Sequence, residues 1–460
     1  MSRFSNRLLR LWWKKRGRAM SPTRVVAVAF ALIILTGGLL LTLPAAARDG
    51  QSHGFLTGLF TATSATCVTG LVLGDTWTLW SGFGQIVILC LIEIGGLGFM
   101  SVASTVIFLL KRKLGLRHRM VMAQALSVSD MASVVRLQKW AVLGSIAIQL
   151  TGALILTLRF LPDFGLEQAA TWGIFHAVSA FCNAGFDIFG KIAPNASVIV
   201  FNNDPVVCIT IMALIVIGGL GFFVWEELVR VRNFRKFSVY TKMVLIGTAF
   251  LIVGGAFFIG WMEWDNPATL GNMEPWQRVL NSFFQSVTAR TAGYASVDQA
   301  ALTDGAKATT TVLMFTGGAS GSTAGGAKVV TVMVLFLFFY TKARGRHTVC
   351  IFRRTIPDDK VIDALTITGL MLVMGVFGAI FISEACSVSF TDALFETVSA
   401  LGTVGLTAGV TTKLTVLCQI MIIIFMYFGR VGILTISLGF LLGNQAEDRI
   451  QYAQTNLLIG

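Results

Sequence analysis

The sequence has little charge. Asp, Glu, Lys and Arg together make up only 13% of its 460 residues, whereas 55% are hydrophobic. Soluble globular domains carry about 25% charged residues, and this chain has a mean hydropathy of +0.76. The composition therefore excludes an ordinary soluble domain and predicts a protein that crosses a lipid bilayer several times. With the apolar runs described below, the expected fold class is an all-α polytopic membrane protein.

Histidine and cysteine are too few and too scattered for a metal centre. Only one of the four histidines, His176, falls in a segment expected to enter the membrane, so neither a haem pair nor a metal cluster can form. The seven cysteines are odd in number and show no spacing pattern. Most lie in or beside apolar segments, which favours small buried thiols over a disulfide or zinc framework: Cys67, Cys90, Cys182, Cys208 and Cys418. We expect neither an enzyme nor a cofactor bound to this chain.

The net charge of +13 is compatible with a nucleic-acid partner, but the basic residues are grouped along the chain. Of the 36 Lys and Arg residues, 26 lie in four blocks: 1–24, Lys111–Lys139, Arg230–Lys242 and Lys342–Lys360. Basic segments next to membrane spans remain in the cytoplasm, so these blocks are predicted to face inwards. None of them belongs to a soluble domain with stacking aromatic residues, which argues against nucleic acid.

One short pattern occurs four times and divides the chain into repeats. A Phe stands ten residues before a Gly that is followed by a large apolar residue. The copies are FTATSATCVTGL (Phe60–Leu71), FHAVSAFCNAGF (Phe175–Phe186), FFQSVTARTAGY (Phe283–Tyr294) and FETVSALGTVGL (Phe395–Leu406). Their glycines, called the repeat glycines below, lie 115, 108 and 112 residues apart: Gly70, Gly185, Gly293 and Gly405. The chain is therefore predicted to consist of four diverged units.

Each unit has one apolar run on either side of this pattern. Five uncharged runs of 18–21 residues are long enough to cross about 30 Å of hydrocarbon: Val25–Leu43, Ala141–Leu158, Pro205–Trp225, Met243–Met262 and Ala364–Ser383. Three further spans each hold one charged residue: Gln85–Leu110 with Glu93, Ala308–Tyr340 with Lys328, and Leu414–Leu442 with Arg430. The predicted organisation is a basic N-terminus (1–24), units at 25–119, 120–236, 237–350 and 351–445, and a C-terminal segment (446–460).

The stretch before each repeat glycine is about three turns long, too short to span a bilayer as a helix. It can only enter partway. Gly accepts left-handed backbone angles, which lets successive carbonyl oxygens face a common axis. Irregular backbone at membrane depth is tolerated only where protein buries it or water lines it. Four such segments around one axis imply a pore; the alternative is four tight turns at the membrane surface.

The second span of the third unit is interrupted by TGGASGSTAGGAK, Thr316–Lys328, which contains five glycines. Each Gly inside a helix costs roughly 1 kcal/mol relative to Ala, so an intramembrane loop, the glycine-rich loop, is expected here. It does not match a phosphate-binding loop, because Lys328 follows Ala and precedes Val329. This loop and Arg430 both follow a repeat glycine by about 24 residues, which favours a gate on the inner side of the pore. A glycine-rich packing seam is the alternative.

Glu93 is a carboxylate inside a predicted span. Placing a charged carboxylate within the membrane costs several kcal/mol of free energy unless the group is paired or hydrated. Two roles are open: a partner for a buried cation such as Arg430, or a hydrogen-bonding group between helices. It lies in LIEIGGLGF, whose glycines recur in the second unit and allow close helix packing: Gly95, Gly96, Gly98, Gly218, Gly219 and Gly221.

Together these motifs resemble the Trk/Ktr/HKT superfamily of potassium transport proteins, and within it the KtrB subunits. The resemblance covers nearly the whole chain and rests on TCVTGL, FCNAGFD, RTAGY, GTVGLT, TGGASGSTAGGAK and FGRVG. It implies four helix–pore loop–helix units in a pseudo-fourfold arrangement around one pore. The implied potassium filter comprises Cys67, Val68, Thr69, Gly70, Cys182, Asn183, Ala184, Gly185, Thr291, Ala292, Gly293, Thr403, Val404 and Gly405. The implied gate comprises Thr316, Gly317, Gly318, Ser320, Gly321, Ser322, Thr323, Gly325, Gly326, Lys328 and Arg430.

The resemblance also implies partners and ions. It implies a homodimer in the bacterial inner membrane, docked on a cytoplasmic KtrA-like ring that binds ATP or ADP. K⁺ is the implied transported ion, and a role for Na⁺ as activator is open. The C-terminal segment Ala446–Gly460 resembles the family's terminal segment, which can contribute to the dimer or ring contact.

Two functions are compatible with this resemblance: a gated, channel-like potassium pore, and a symporter that couples potassium to sodium or protons. The four units are parallel and suited to a ring, whereas alternating-access carriers are commonly built from inverted repeats. We therefore expect the pore.

The inward-facing basic blocks predict a docking surface for an acidic or nucleotide-regulated partner. Replacing the basic residues of Arg230–Lys236 or Lys342–Arg354 by Gln should weaken the complex, because charge complementarity speeds and orients association. Pull-down of the partner ring and the nucleotide response of transport measure this, with Lys-to-Arg exchanges as controls that keep the charge. If both survive neutralisation of both blocks, the charges set topology only.

Overall fold

The computed structural model describes residues 22–98, 131–346 and 348–432. Several predicted features lie wholly or partly outside these residues: the basic segment 1–24, the inner end of Gln85–Leu110 with the block after it, the end of Leu414–Leu442, and Ala446–Gly460.

The described residues are mainly helical, as the apolar runs predict. The helices are α1 (Pro22–Thr42), α2 (Phe55–Thr66), α3 (Thr76–Leu79), α4 (Gly82–Leu97), α5 (Met131–Phe181), α6 (Pro205–Leu220), α7 (Phe222–Val231), α8 (Val239–Glu263), α9 (Pro275–Thr288), α10 (Asp304–Phe315), α11 (Val329–Ala343), α12 (Asp358–Cys386), α13 (Phe390–Gly402) and α14 (Val416–Val431). Short 3-10 turns occupy Pro44–Ala46, Phe189–Lys191, Ser197–Phe201, Phe234–Lys236 and Thr411–Lys413.

Two short strands form an antiparallel hairpin between α11 and α12, which the sequence pattern did not predict. β1 (Cys350–Ile351) pairs with β2 (Arg354–Thr355). The two turn residues, Phe352 and Arg353, have φ values of 47° and 61°, as two-residue hairpin turns require. The hairpin therefore gives the basic block Lys342–Lys360 a defined shape.

Four helical stretches in the described part of the chain are long and apolar enough to cross a membrane: Arg24–Thr42 in α1, Trp140–Phe181 in α5, α8 and α12. Three of them contain a whole predicted uncharged run, and α1 contains Val25–Leu43 except for its last residue, so these runs are confirmed as helical. Their outer faces carry large exposed hydrophobic side chains such as Leu32, Phe250 and Leu372. In a bilayer such side chains face the lipid. The helices themselves can lie in hydrocarbon because their backbone groups are hydrogen-bonded within each helix.

Shorter helices lead to each repeat glycine. α2, α9 and α13 have 12, 14 and 13 residues, or about 18–21 Å at 1.5 Å per residue. In the second unit the corresponding helix is the last part of α5, which breaks sharply at Gly165, where φ is 75°. Less than 30 Å long, these helices fit the predicted segments that enter the membrane only partway.

The helices after the repeat glycines are shorter than predicted. α4, α6 and α14 have 16 residues each, and each is followed by a left-handed glycine: Gly98 (82°), Gly221 (90°) and Gly432 (91°). The run Pro205–Trp225 is therefore not one straight span, since the chain turns by 93° at Gly221 into α7. An α-helix needs φ near −63°, so an apolar run breaks where its glycine adopts +90°. In the third unit, helix stops at Phe315 and resumes at Val329, as the glycine content predicts.

Glycines in these second helices bring the backbones of two helices together. In three units, an added Cβ would overlap the carbonyl oxygen four residues before the repeat glycine of the same unit. The pairs are Gly95 with Thr66, Gly218 with Phe181, and Gly429 with Leu401. In these three units the second helix therefore lies directly against the end of the short helix and fixes the position of the segment that follows.

Candidate functional site

The backbone around each repeat glycine has the same irregular conformation in all four units. The repeat glycines have φ values between 68° and 95°. The residue two positions earlier is also left-handed, although it is never glycine: Val68 (58°), Asn183 (59°), Thr291 (70°) and Thr403 (50°). For an L-residue this conformation costs about 1–2 kcal/mol. Its recurrence at equivalent positions indicates one constraint shared by the four units.

The repeat glycines lie side by side in a closed cycle. At each of them an added Cβ would collide with the carbonyl oxygen of the residue just before another repeat glycine. The pairs are Gly70 with Ala184 O (2.5 Å), Gly185 with Ala292 O (2.7 Å), Gly293 with Val404 O, and Gly405 with Thr69 O. Each unit thus touches the next in chain order, and the fourth touches the first.

Two side-chain contacts also connect the second and third units at this level. The amide of Asn183 is hydrogen-bonded with Thr291 Oγ1 at 3.3 Å, which joins the two non-glycine left-handed residues. Tyr294 Oη donates to Phe186 O at 3.1 Å, which joins the residues just after two repeat glycines. The segments therefore hold one another in register.

Serine hydroxyl groups on the short helices are hydrogen-bonded to the backbone at or just after the repeat glycines. Ser64 Oγ accepts from Gly70 N, and Ser399 Oγ accepts from Gly405 N, both at 3.0 Å. In the second unit Ser179 Oγ donates to Phe186 O at 2.7 Å. These three serines were missed by the sequence analysis, although a signal was present: each stands six residues before its repeat glycine.

Glu93 has the second of the two roles left open above. Its Oε2 accepts hydrogen bonds from Gln149 Nε2 at 2.9 Å and from Cys182 Sγ at 3.4 Å. Arg430, the proposed ion-pair partner, is instead bonded to backbone carbonyls. Glu93 therefore connects α4 to α5 and to the Cys182 side chain.

A cavity of about 330 Å³ lies on one side of the repeat glycines, and all four of them line it. Its lining also includes three aspartates, Asp75, Asp187 and Asp298. Asp75 is held in place because its carboxylate accepts from Thr78 N at 2.8 Å and from Asn195 N at 3.0 Å. The cavity is therefore an acidic vestibule in contact with the cycle of glycines.

A buried carboxylate braces the vestibule wall in the fourth unit. Glu396 on α13 is fully buried and accepts from Thr407 Oγ1 at 2.8 Å and from Thr411 Oγ1. His176 takes the equivalent position in the second unit, nine residues before Gly185, and its Nε2 accepts from Ile188 N at 3.3 Å. These polar groups fix the chain just after two of the repeat glycines.

The glycine-rich loop lies on the opposite side of the cycle. Within the loop, added Cβ atoms on Gly325 and Gly326 would contact Thr403 Oγ1 and Gly402 O, residues that precede Gly405. The loop also bonds the second unit, because Thr323 Oγ1 donates to Phe181 O at 3.1 Å. The backbone of the loop is also hydrogen-bonded to α6 and α7. Ala319 N donates to Gly219 O at 2.9 Å, Thr323 N to Gly218 O at 3.3 Å, and Phe222 N to Gly321 O at 3.0 Å.

Two cations hold this loop. Lys328 Nζ donates to Ala324 O at 2.8 Å and to Gly325 O at 3.3 Å, and so closes the loop on itself. Arg430 donates to Thr323 O in the loop, to Gly95 O, and to Gly96 O at 3.1 Å. The guanidinium thus joins the loop to the end of α4, and loop and arginine together contact all four units.

Residues 7–447 match the TrkH family model, which is described as a cation transport protein. The chain belongs to the TrkH family. It is accordingly a multi-pass membrane protein and a transporter rather than an enzyme.

Several relatives of this TrkH-family chain are similar over nearly their full length. It is 39% identical to the potassium/sodium uptake protein NtpJ of Enterococcus hirae, over 97% of this chain and 99% of that one. It is also 39% identical to the Ktr system potassium uptake protein B of Bacillus subtilis, over 96% and 97% of the two chains. A crystal structure of the potassium transporter TrkH from Vibrio parahaemolyticus has the same fold, with a TM-score of 0.72 at 16% identity, covering 92% of this chain and 86% of that one.

The repeat glycines of this TrkH-family chain should not tolerate a side chain. In Gly70→Ser and Gly293→Ser, the added Cβ meets a carbonyl of the next unit, and the left-handed angle adds about 1–2 kcal/mol. Both variants should show weaker K⁺ uptake or stronger competition by Na⁺, measured as the K⁺ and Na⁺ dependence of uptake. Gly254→Ser is the control, because nothing lies within 4 Å of its Cβ. Unchanged affinity and selectivity in both variants would contradict a role for these glycines.

Proposed function

We propose that this chain is the ion-conducting subunit of a potassium uptake system. Its four helix–pore loop–helix units are arranged with pseudo-fourfold symmetry around one pore, and the segments ending at the repeat glycines form a potassium filter. The observation that carries the proposal is the closed cycle in which each repeat glycine meets a carbonyl of the next unit. Rings of backbone carbonyls replace the hydration shell of potassium in selective pores.

Buried hydroxyl groups at the same level support this function. Within the described residues, Thr66 Oγ1, Thr69 Oγ1 and Thr403 Oγ1 are buried without a hydrogen-bond partner. Leaving a buried polar group unpaired costs about 1–3 kcal/mol. A hydrated cation in a pore supplies partners to such oxygens, and the acidic vestibule next to the repeat glycines attracts cations to its entrance.

The names of the relatives support potassium as the transported ion. The Bacillus subtilis relative is a potassium uptake protein, and the Enterococcus hirae relative is a potassium/sodium uptake protein. The first is one component of a Ktr system, which supports a separate regulatory partner. We extend the proposal to a homodimer on a cytoplasmic KtrA-like ring that binds ATP or ADP, with Na⁺ as an activator rather than a coupled ion.

Flux measurements on proteoliposomes that contain only this chain test the proposal. A pore should carry K⁺ down its gradient when no sodium or proton gradient is present, and Na⁺ should pass more slowly. K⁺ movement that requires a sodium or proton gradient would identify a symporter instead. Absence of flux both from the parent protein and from the gate variants described below would contradict any conducting role.

We assign the gate to the glycine-rich loop and Arg430. The loop contacts the residues before the repeat glycines, on the side opposite the vestibule, so it lies where ions leave the filter. Two unit charges about 4 Å apart repel by about 4 kcal/mol at an effective dielectric constant of about 20. An arginine near the path therefore slows a cation by orders of magnitude unless the two move apart. Gly and Ser leave the loop free to change conformation when the flanking helices move.

Weakening this gate should raise transport. Arg430→Ala removes the bonds to Thr323 O and to the end of α4, and deletion of Gly317–Gly325 removes the obstruction itself. Both should increase K⁺ flux and reduce its dependence on the regulatory partner, as measured in proteoliposomes with and without that partner. Arg430→Lys is the matched control, because it keeps the charge but loses the planar fork that reaches several carbonyls at once. Variants of normal expression with unchanged partner-dependent flux would show that the loop serves packing.

A further inference from the structure

Two cysteines of the fourth unit are in contact. Cys386 is the last residue of α12, and Cys418 lies in the first turn of α14. Their Sγ atoms are 3.6 Å apart, and among the described residues this is the one recorded contact between two cysteine sulfurs. Cys418 is fully buried, whereas Cys386 is partly exposed and therefore within reach of a reagent.

Both sulfurs lie at the end of the fourth unit that is predicted to face outwards. α12 begins at Asp358, inside the basic block Lys342–Lys360, which the charge distribution assigns to the cytoplasm. Its 29 residues extend for about 43 Å, so Cys386 lies at the opposite surface. α14 starts beside Cys418 and runs from there towards Arg430. Thiols on the outer surface are not kept reduced by cytosolic glutathione and thioredoxin.

The turn that carries Cys386 is fixed rather than loose. Ser387 adopts a left-handed conformation with φ 52°. Ser383 Oγ donates to Val388 O at 2.8 Å, and Val388 N donates to Ser383 O at 3.3 Å. The Cys386 side chain also packs against the buried cluster that includes Cys418. Because the two Sγ atoms are already 3.6 Å apart, a small side-chain movement brings them to the S–S bond length of about 2 Å.

We propose that Cys386 and Cys418 form a disulfide bond that closes the fourth unit at its outer end. The oxidant class is a disulfide-bearing molecule or protein outside the membrane. The Cys386 thiolate attacks its disulfide and displaces one thiol, and the Cys418 thiolate then attacks Cys386 Sγ and displaces the second. Two protons leave the cysteines, and two electrons reduce the oxidant to two thiols.

The segment closed by this bond, residues 387–417, includes α13 and the fourth segment of the cycle. In and just after the fourth segment of the cycle, three residues are left-handed: Thr403 (50°), Gly405 (95°) and Gly409 (82°). A disulfide limits the conformations of the enclosed chain when it unfolds, and more so for longer loops. It also holds the end of α12 against the start of α14. Oxidation should therefore stabilise the fourth unit against local opening.

Mapping of the thiols in the full-length protein tests the bond directly. Proteoliposomes are treated with oxidised glutathione as the probe oxidant, free thiols are alkylated after unfolding, and peptides are analysed by mass spectrometry. We expect two of the seven cysteines to escape alkylation, joined as one Cys386–Cys418 peptide pair that reduction separates. Cys386 and Cys418 recovered as alkylated thiols, as separate glutathione adducts or linked to other cysteines would overturn the proposal.

A functional readout uses the same preparation. Reduction should shorten the half-life of K⁺ flux severalfold at elevated temperature in the oxidised parent protein. It should have no effect on a Cys386→Ser/Cys418→Ser double variant. Cys90→Ser is the matched control, because Cys90 is exposed on α4 and should leave the response to reduction intact. Equal half-lives of the oxidised and reduced parent would overturn the stabilising role of the bond.

Discussion

The structure depends on the close approach of four backbone segments at one place. Each repeat glycine leaves no room for a Cβ, because a carbonyl oxygen of another unit occupies that space. Other features of the structure hold the four segments in this close contact. The glycines of the second helices let those helices press on the short helices, and the serine hydroxyls hold the segments from behind. The left-handed residues before the repeat glycines carry the strain that this arrangement requires.

A membrane arginine is stable here because several carbonyl dipoles share its charge. Arg430 bonds to Thr323 O in the glycine-rich loop and to Gly95 O and Gly96 O at the end of α4. Carbonyls become free at the end of a helix, since the last four have no partner within it. The break at Gly98 therefore supplies oxygens for the guanidinium of another unit. The same break that shortens the second helix also anchors the loop.

Much of this arrangement could be predicted from the sequence, because the decisive residue is glycine and its spacing recurs. The fixed Phe-to-Gly offset predicts the four units. The five glycines of Thr316–Lys328 predict that the second helix of the third unit is interrupted. Other features could not be predicted so easily. Pro205–Trp225 is apolar throughout, and only the angle adopted by Gly221 turns the chain. The roles of Glu93 and Glu396 depend on which polar groups the fold brings near, namely Gln149 in one case and Thr407 in the other. The hydropathy pattern reports neither a backbone angle nor the hydrogen-bond partners that the fold brings together.

The order of contacts in the cycle has a consequence for biosynthesis. Chain order and contact order are the same, so during translation the first three units can associate one after another as each enters the membrane. Thr69 O can pack against Gly405 only after the fourth unit has been synthesised. Until then one side of the first segment has no partner in the chain, and the newly inserted protein has an unfinished edge at membrane depth. Synthesis of the last unit therefore completes the assembly, and in a chain truncated before Gly405 the cycle of contacts would stay open at Thr69.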